Sequence, residues 1–146
     1  MIAPLEESHI DQVCAIEKVS FPLPWPREAF LGELSLPYGK SWCWLEGDRV
    51  LGYLIAWKSF EDFHIINLAV SPEARGRGIA RNLLRHALEW ARGARAERSL
   101  LEVRSSNAAA RALYLSAGFE VVGIRKNYYE LPTEDGLILE KRLEEK

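Results

Sequence analysis

A chain of 146 residues has the length of one ordinary domain, and we expect residues 1–146 to form a single domain. Hydrophobic residues make up 48% of the chain and charged residues 27%, which supports a buried core and argues against disorder. The formal net charge of −2 gives no general attraction for nucleic acid, so a direct nucleic-acid partner is not predicted.

The first half of the chain alternates apolar runs with turn residues, which predicts two helices followed by three strands. Ser8 is a helix-capping residue type placed just before apolar residues at helical spacing. The proline-rich segment 21–26 interrupts that helix, and proline suits the first turn of the next one. Gly47 and Asp48 separate two apolar runs, as in a hairpin. The elements are predicted at 8–20, shortly after Pro26, at 42–46, at 50–57 and at 63–70.

The second half follows the order helix, strand, helix, strand, strand. Its first helix has apolar residues on one face and arginines on the other, which is typical of a helix that covers a sheet. Asn107 is a good N-cap and Gly118 a good C′ residue for the second helix. This order favours an α/β (α+β) domain with a mixed sheet. The elements are predicted at 79–91, 99–103, 108–117, 119–124 and 137–143.

Segment 75–81 joins the third strand to the amphipathic helix and contains three arginines and two glycines. Glycines let backbone N–H groups approach an anion closely, and a helix N-terminus adds unpaired donors and a favourable dipole. No Gly-Lys-Ser/Thr sequence follows, and Arg81 stands where a dinucleotide-binding fingerprint requires Gly or Ala, so two common phosphate motifs are excluded. The segment is predicted either to bind a phosphate group or to form only a tight turn.

Positions 75–80, Arg-Gly-Arg-Gly-Ile-Ala, match the Arg/Gln-x-x-Gly-x-Gly/Ala motif of the GCN5-related N-acetyltransferase superfamily. The match extends back through 67–72, which resembles the bulged strand of that family and the turn after it. Positions 101–119, positions 125–129 and Phe21-Pro22 near Trp25 resemble the bacterial RimI branch, the ribosomal-protein alanine N-acetyltransferases. The resemblance implies a single GNAT-like domain with a mixed, mostly antiparallel sheet, a bulged central strand and flanking helices.

The same resemblance implies a binding site for acetyl-CoA as co-substrate. Leu68, Ala69 and Val70 in the bulged strand would hold the pantetheine arm and the thioester, with the N–H of Val70 as the favoured donor to the oxyanion. Without a ligand these three residues would be plain buried strand. The other implied cofactor-binding residues are Arg75, Gly76, Arg77, Gly78, Ile79, Ala80, Arg81 and Asn107.

Attack of an amine on a thioester needs a proton acceptor, stabilisation of an oxyanion and departure of a thiolate. The resemblance assigns Glu102 as base, acting directly or through a water, and Tyr114 as acid, with direct transfer rather than an acyl-enzyme. An ion pair with Arg104 would lower the pKa of Glu102 and is the alternative interpretation of that residue. Tyr114 shares a helix face with Asn107 and is alternatively an aromatic at the core edge.

The acceptor is predicted to be the N-terminal α-amine of a protein, such as an alanine of a small-subunit ribosomal protein. An α-amine with a pKa near ~8 is about 10% neutral at pH 7, against about 0.04% for lysine. Phe21, Tyr128 and Tyr129 resemble the aromatic walls of peptide-accepting relatives, or are core and loop aromatics. The alternatives are an acetyltransferase for lysine or a small amine, and a non-catalytic acyl-CoA-binding module.

Cys14 and Cys43 have neither metal-ligand spacing nor a nearby histidine cluster, so we predict reduced thiols and no metal. The first ten residues lack the pattern of a signal peptide. The longest apolar stretch, 50–57, is too short to span a bilayer. These features predict a cytoplasmic protein without a membrane partner.

Overall fold

In residues 1–143, which the computed structural model describes, seven strands form one sheet and four α-helices pack against it. Two 3-10 turns precede the first and third helices. The strands are β1 (Ile2–Pro4), β2 (Gly39–Glu46), β3 (Arg49–Ser59), β4 (Asp62–Val70), β5 (Arg98–Arg104), β6 (Glu120–Tyr129) and β7 (Glu134–Arg142). The helices are α1 (Ile10–Ser20), α2 (Arg27–Leu34), α3 (Ile79–Gly93) and α4 (Ala108–Ser116).

The sheet has the strand order β1-β2-β3-β4-β5-β7-β6. Among the described strands, β4 and β5 form the one parallel pair, and all other neighbours are antiparallel. The predicted α/β fold with a mixed, mostly antiparallel sheet is therefore confirmed. The predicted strands are present but longer, and β1 was missed because three residues carry too little pattern to indicate a strand.

The start of α1 differs from the prediction. Ser8 lies inside a 3-10 turn at Glu7–His9 and does not cap the helix, which begins at Ile10. Glu6 closes this turn instead, because its side chain accepts from the backbone of His9 while the His9 ring accepts the Glu6 N–H at 3.0 Å. A capping box of this kind satisfies donors that a serine cap would otherwise have to satisfy.

The helices cover opposite faces of the sheet and define two apolar clusters. On one face, α3 buries its predicted stripe, including the fully buried Leu83 and Leu84, together with residues of α4. On the other face, α1 and α2 pack around Phe30 and Tyr53. Burying one leucine or phenylalanine side chain stabilises a fold by roughly 1.5–3 kcal/mol, so these layers hold the sheet rigid beneath the site described below.

The centre of the sheet is where neighbouring strands separate. β4 pairs with β5 only over Asp62–His64 and Arg98–Leu100 within the described chain. The register of β4 against β3 shifts at Ile66, which is an extra residue on the central strand and confirms the predicted bulge. Beyond the bulge, backbone groups of β4 that face β5 lack a ladder partner, and a cleft opens between the two strands.

Both cysteines are free, and burial raises the pKa of the Cys43 thiol to about 11. No described helix combines the length and the hydrophobicity that a bilayer-spanning segment needs.

Acid is expected to destabilise the fold through carboxylates whose pKa values lie below their ordinary range. Arg98 lowers the pKa of Asp62 through a 2.6 Å hydrogen bond, and the N–H of Asn127 lowers that of Asp135. A pKa lowered by folding adds stability above the unfolded value of about 4, and this stability is lost as pH falls through the folded value. The melting temperature should therefore be level from about pH 7 to 5 and fall below about pH 4. An unchanged melting temperature in acid would contradict this.

Candidate active site

A cavity of about 520 Å³ lies in the cleft between the diverging ends of β4 and β5. Its other walls are the connection from α1 to α2, the helix α4, and the end of β6. Seven of the residues predicted for the site line this one cavity: Phe21, Leu68, Glu102, Asn107, Tyr114, Tyr128 and Tyr129. The fold thus brings the two predicted proton-transfer residues and the predicted acceptor wall to the same space.

Glu102 projects from β5 with 31% of its side chain exposed. Its Oε2 atom lies 3.1 Å from Nε of Arg125, which β6 brings into place across β7. The alternative ion pair with Arg104 is absent from the described chain, because Arg104 pairs with Glu134 instead. The cation beside Glu102 therefore comes from a distant strand.

Tyr114 is buried on α4 and packs edge-to-face against Phe119, with ring centroids 5.6 Å apart. No hydrogen bond joins its hydroxyl to another residue of the described part, and the side chain lines the cavity. Burial raises the pKa of Tyr114 above its ordinary value, so the phenol stays protonated. An unengaged O–H group in the cleft is free to donate to a ligand.

Asn107 caps α4, as predicted, because its side chain accepts the N–H of Ala110 at 3.1 Å. Gly118 has the positive φ of 98° expected at a C′ position. Asn107 and Tyr114 both line the cavity, so the shared helix face is confirmed.

Tyr128 and Tyr129 stand at the cavity mouth because β6 bulges there. The pairing of β6 with β7 slips between Arg125 and Tyr129, and Asn127 has a φ of 50°. Asp135 holds the bulge by accepting the Asn127 N–H at 3.0 Å. The two rings meet edge-to-face at 5.0 Å, and burial raises the pKa of Tyr129 to about 12. The bulge turns both aromatic side chains toward the cleft.

Arg104 is a site residue that sequence reasoning considered only as a partner of Glu102. It donates to the carbonyls of Glu130 at 2.5 Å and Pro132 at 2.9 Å, and it pairs with Glu134 at 3.3 Å. Its guanidinium carbon also lies 4.7 Å from the ring centroid of Tyr129. One arginine thus fixes the β6–β7 connection that supports the aromatic wall.

Gly136 gives the two tyrosines the room they occupy. A Cβ atom there would lie 3.1 Å from both Cδ2 of Tyr128 and Cε2 of Tyr129. We expect Gly136→Ala to displace the rings, to cost about 1 kcal/mol of stability, and to raise the KM for the predicted peptide acceptor about tenfold. Steady-state kinetics and thermal unfolding test this. Gly32→Ala is the matched control because nothing lies within 4 Å of its added methyl group. An unchanged peptide KM in Gly136→Ala would contradict the role of the rings.

The glycine-bearing segment lies at the start of α3 and outside the cavity wall. Gly76 and Gly78 have φ of 81° and 80°, which only glycine adopts without strain, and Gly78 is the N-cap of α3. Arg75 donates to the carbonyl of Val70 at 3.1 Å, and Arg77 pairs with Glu46. Arg81 lines a separate cavity of about 390 Å³ between α3 and α4.

The remaining predicted cofactor residues are packing residues in the structure. Ala69 and Val70 are buried in β4, Ile79 is buried in the core, and Ala80 packs against it. Leu68 alone of the three bulged-strand residues lines the cavity. Any contact of the others with a ligand would be made by backbone groups, which is the role that the resemblance implies for the strand.

Glu17 lines the cavity but was not predicted as a site residue. It occupies the apolar face of α1 and is only 2% exposed. Its carboxylate accepts from the Tyr53 hydroxyl at 2.5 Å, from Nδ2 of Asn67 at 2.8 Å and from the Trp25 N–H at 2.9 Å. The available signal was a glutamate placed at helical spacing among buried apolar residues.

The model of the acetyltransferase (GNAT) family matches residues 10–119, and the chain belongs to that family. It is an acetyl-CoA-dependent N-acetyltransferase, which confirms the resemblance on which the site was predicted.

Two relatives and one solved structure are similar to this chain over most of its length. The chain is 38% identical over 123 residues to N-alpha-acetyltransferase RimI of Mycobacterium tuberculosis, covering 81% of this chain and 75% of the relative. It is 33% identical over 138 residues to the [ribosomal protein bS18]-alanine N-acetyltransferase of Escherichia coli, covering 92% and 89%. The crystal structure of the ribosomal-protein-S18-alanine N-acetyltransferase from Escherichia coli superposes with a TM-score of 0.93 at 28% identity, covering 100% of this chain and 95% of that one.

Proposed function

We propose that this enzyme transfers the acetyl group of acetyl-CoA to the N-terminal α-amine of a protein, with an N-terminal alanine of a ribosomal protein as the favoured acceptor. The observation that supports this most is the convergence of Glu102, Tyr114 and the aromatic residues on one cavity. The name of the Escherichia coli relative points to the same acceptor, since that enzyme is an N-acetyltransferase for an alanine of ribosomal protein bS18.

The cleft suits the extended arm of acetyl-CoA. Strands β4 and β5 separate after three pairs, which leaves amide donors and acceptors for a pantetheine chain to satisfy. At the outer end, the two positive-φ glycines present the N-terminus of α3, a favourable position for a pyrophosphate. Acetyl-CoA supplies an acetyl group activated as a thioester. The residues that would hold it are those of the bulged strand, the glycine-bearing segment and Asn107.

Glu102 is proposed to take the proton that the attacking amine loses, directly or through a water. Its partly exposed position at the cavity wall gives access to both amine and solvent. Tyr114 is proposed to donate a hydrogen bond, and then its proton, to the sulfur as the carbon–sulfur bond breaks. Its raised pKa keeps the hydroxyl protonated, so it remains a hydrogen-bond donor to the sulfur as charge develops there. The N–H of Val70 is the favoured donor to the carbonyl oxygen.

Charge and aromatic surface favour a peptide N-terminus as acceptor over lysine. The pKa of an α-ammonium ion lies about two units below that of a lysine side chain, so proton transfer to a carboxylate is less uphill for the α-amine. Phe21 and the two tyrosines of β6 flank the cavity, where they can pack against the first residues of a peptide. The Glu102 charge, and then burial, raise the pKa of Tyr128, so its hydroxyl remains a donor to a peptide carbonyl.

The direct test is mass spectrometry after incubation with acetyl-CoA and one peptide that carries a free N-terminal alanine and an internal lysine. Acetyl on the α-amine is the expected result, and a second peptide with a blocked N-terminus should gain no acetyl group. Acetyl on lysine alone would overturn the proposed acceptor while leaving the enzyme class intact.

A further inference from the structure

The cavity between β4 and β5 is lined by a buried carboxylate that has no cation beside it in the described chain. Glu17 is 2% exposed and accepts three hydrogen bonds, all from uncharged groups: a phenol, a side-chain amide and a backbone N–H. Among residues 1–143 it forms no salt bridge. Burying a charge without a countercharge is costly, and neutral hydrogen bonds offset that cost only in part.

The other charged residues around the cavity leave it negative. Three glutamates line it, Glu17, Glu102 and Glu130, against one arginine, Arg104. Arg104 is paired with Glu134, and Glu102 is paired with Arg125. Glu17 and Glu130 have no salt bridge among the described residues, but Glu130 is exposed and Glu17 is buried, so water screens the charge of Glu17 least.

We propose that Glu17 provides the negative charge that draws the acceptor's α-ammonium ion into the cavity, a proposal that rests on the proposed function. An α-amine with a pKa near ~8 arrives about 90% protonated at pH 7, so the free enzyme must attract a cation. Glu17 then acts on the arriving ammonium ion, and Glu102 on the proton that leaves it. This division gives Glu17 and Glu102 separate tasks.

The hydrogen bonds of Glu17 maintain the geometry that this task needs. Burial, and then the charge of Glu17, raise the pKa of Tyr53, so its hydroxyl remains a donor. Asn67 follows the bulge of β4, and Trp25 lies in the connection between α1 and α2. Three elements thereby hold the carboxylate against the cleft, which makes Glu17 a positioning residue for the acceptor rather than a catalytic residue.

Binding of two matched peptides to the CoA-saturated enzyme tests the proposal without turnover. One peptide has a free N-terminal alanine, and the other has the same sequence with an acetylated N-terminus. Calorimetry gives the ratio of their Kd values at pH 7 for the wild type, for Glu17→Gln and for Glu102→Gln. Both substitutions remove one negative charge from the same cavity, and a melting curve of each variant verifies folding.

We expect the wild type to prefer the charged peptide, and Glu17→Gln to reduce that preference about tenfold. Glu102→Gln should change it less than about threefold because Arg125 already compensates that charge. A wild type that binds both peptides equally would overturn this proposal. If the same enzyme sample still acetylates the α-amine of the free peptide, the proposed function stands nevertheless. Loss of the preference in Glu102→Gln, or its retention in Glu17→Gln, would overturn the role of Glu17.

Discussion

Tyr114→Phe is expected to lower kcat about 100-fold or more while leaving the fold and the binding of acetyl-CoA unchanged. The Tyr114 hydroxyl makes no hydrogen bond to another described residue, so its removal breaks no hydrogen bond within that part of the protein. The phenylalanine ring keeps the edge-to-face packing on Phe119. The substitution removes the O–H group that α4 places in the cleft. The proposed mechanism needs this group as a donor to the sulfur when the thiolate leaves.

Steady-state kinetics and thermal unfolding separate this effect from a structural one. Tyr38→Phe removes a hydroxyl from a half-exposed ring that packs on Trp57, away from the cavity, and should leave kcat within about twofold of the wild type. Near-normal kcat in Tyr114→Phe would show that solvent or another group protonates the sulfur.

Periodicity in the sequence was enough to predict most of the fold. The apolar stripe of α3 and the alternation in β5 report burial directly, because each of these two elements buries one face. One local prediction did not match the structure, and one strand was not predicted. Glu6 and His9, and not Ser8, form the capping box before α1. Strand β1 forms by pairing with β2, which its own three residues do not indicate.

The site was harder to predict than the fold because its contacts join distant parts of the chain. Alternation placed Arg104 near Glu102, but the register of β6 and β7 brings Arg125 there instead. Glu17 meets Tyr53 and Asn67 across 36 and 50 residues, which no local pattern reports. The motif resemblance supplied Glu102 and Tyr114, and the structure places them in one cavity.

Glu102→Gln is expected to lower the acetylation rate about 100-fold at pH 7, and this loss should shrink as pH rises toward 9. The reason is that the α-amine, with a pKa near ~8, loses its proton to solvent at higher pH and then needs no base. Glutamine keeps the shape of the side chain and an oxygen for Arg125, which lies 3.1 Å from the carboxylate in the wild type. Folding and acetyl-CoA binding should therefore be retained.

Rates of the wild type and Glu102→Gln measured from pH 6 to 9 decide whether this carboxylate is the base. Glu120→Gln makes the same change of charge on an exposed residue of β6 outside the cavity wall, and its pH profile should follow that of the wild type. If the loss in Glu102→Gln were the same at every pH, Glu102 would be acting on acceptor position and not on its proton. If the rate loss disappears at high pH, the missing side chain is the one that removes the proton of the α-ammonium ion. Among the carboxylates in the cavity wall, Glu102 combines access to solvent with a place on β5 beside the cleft.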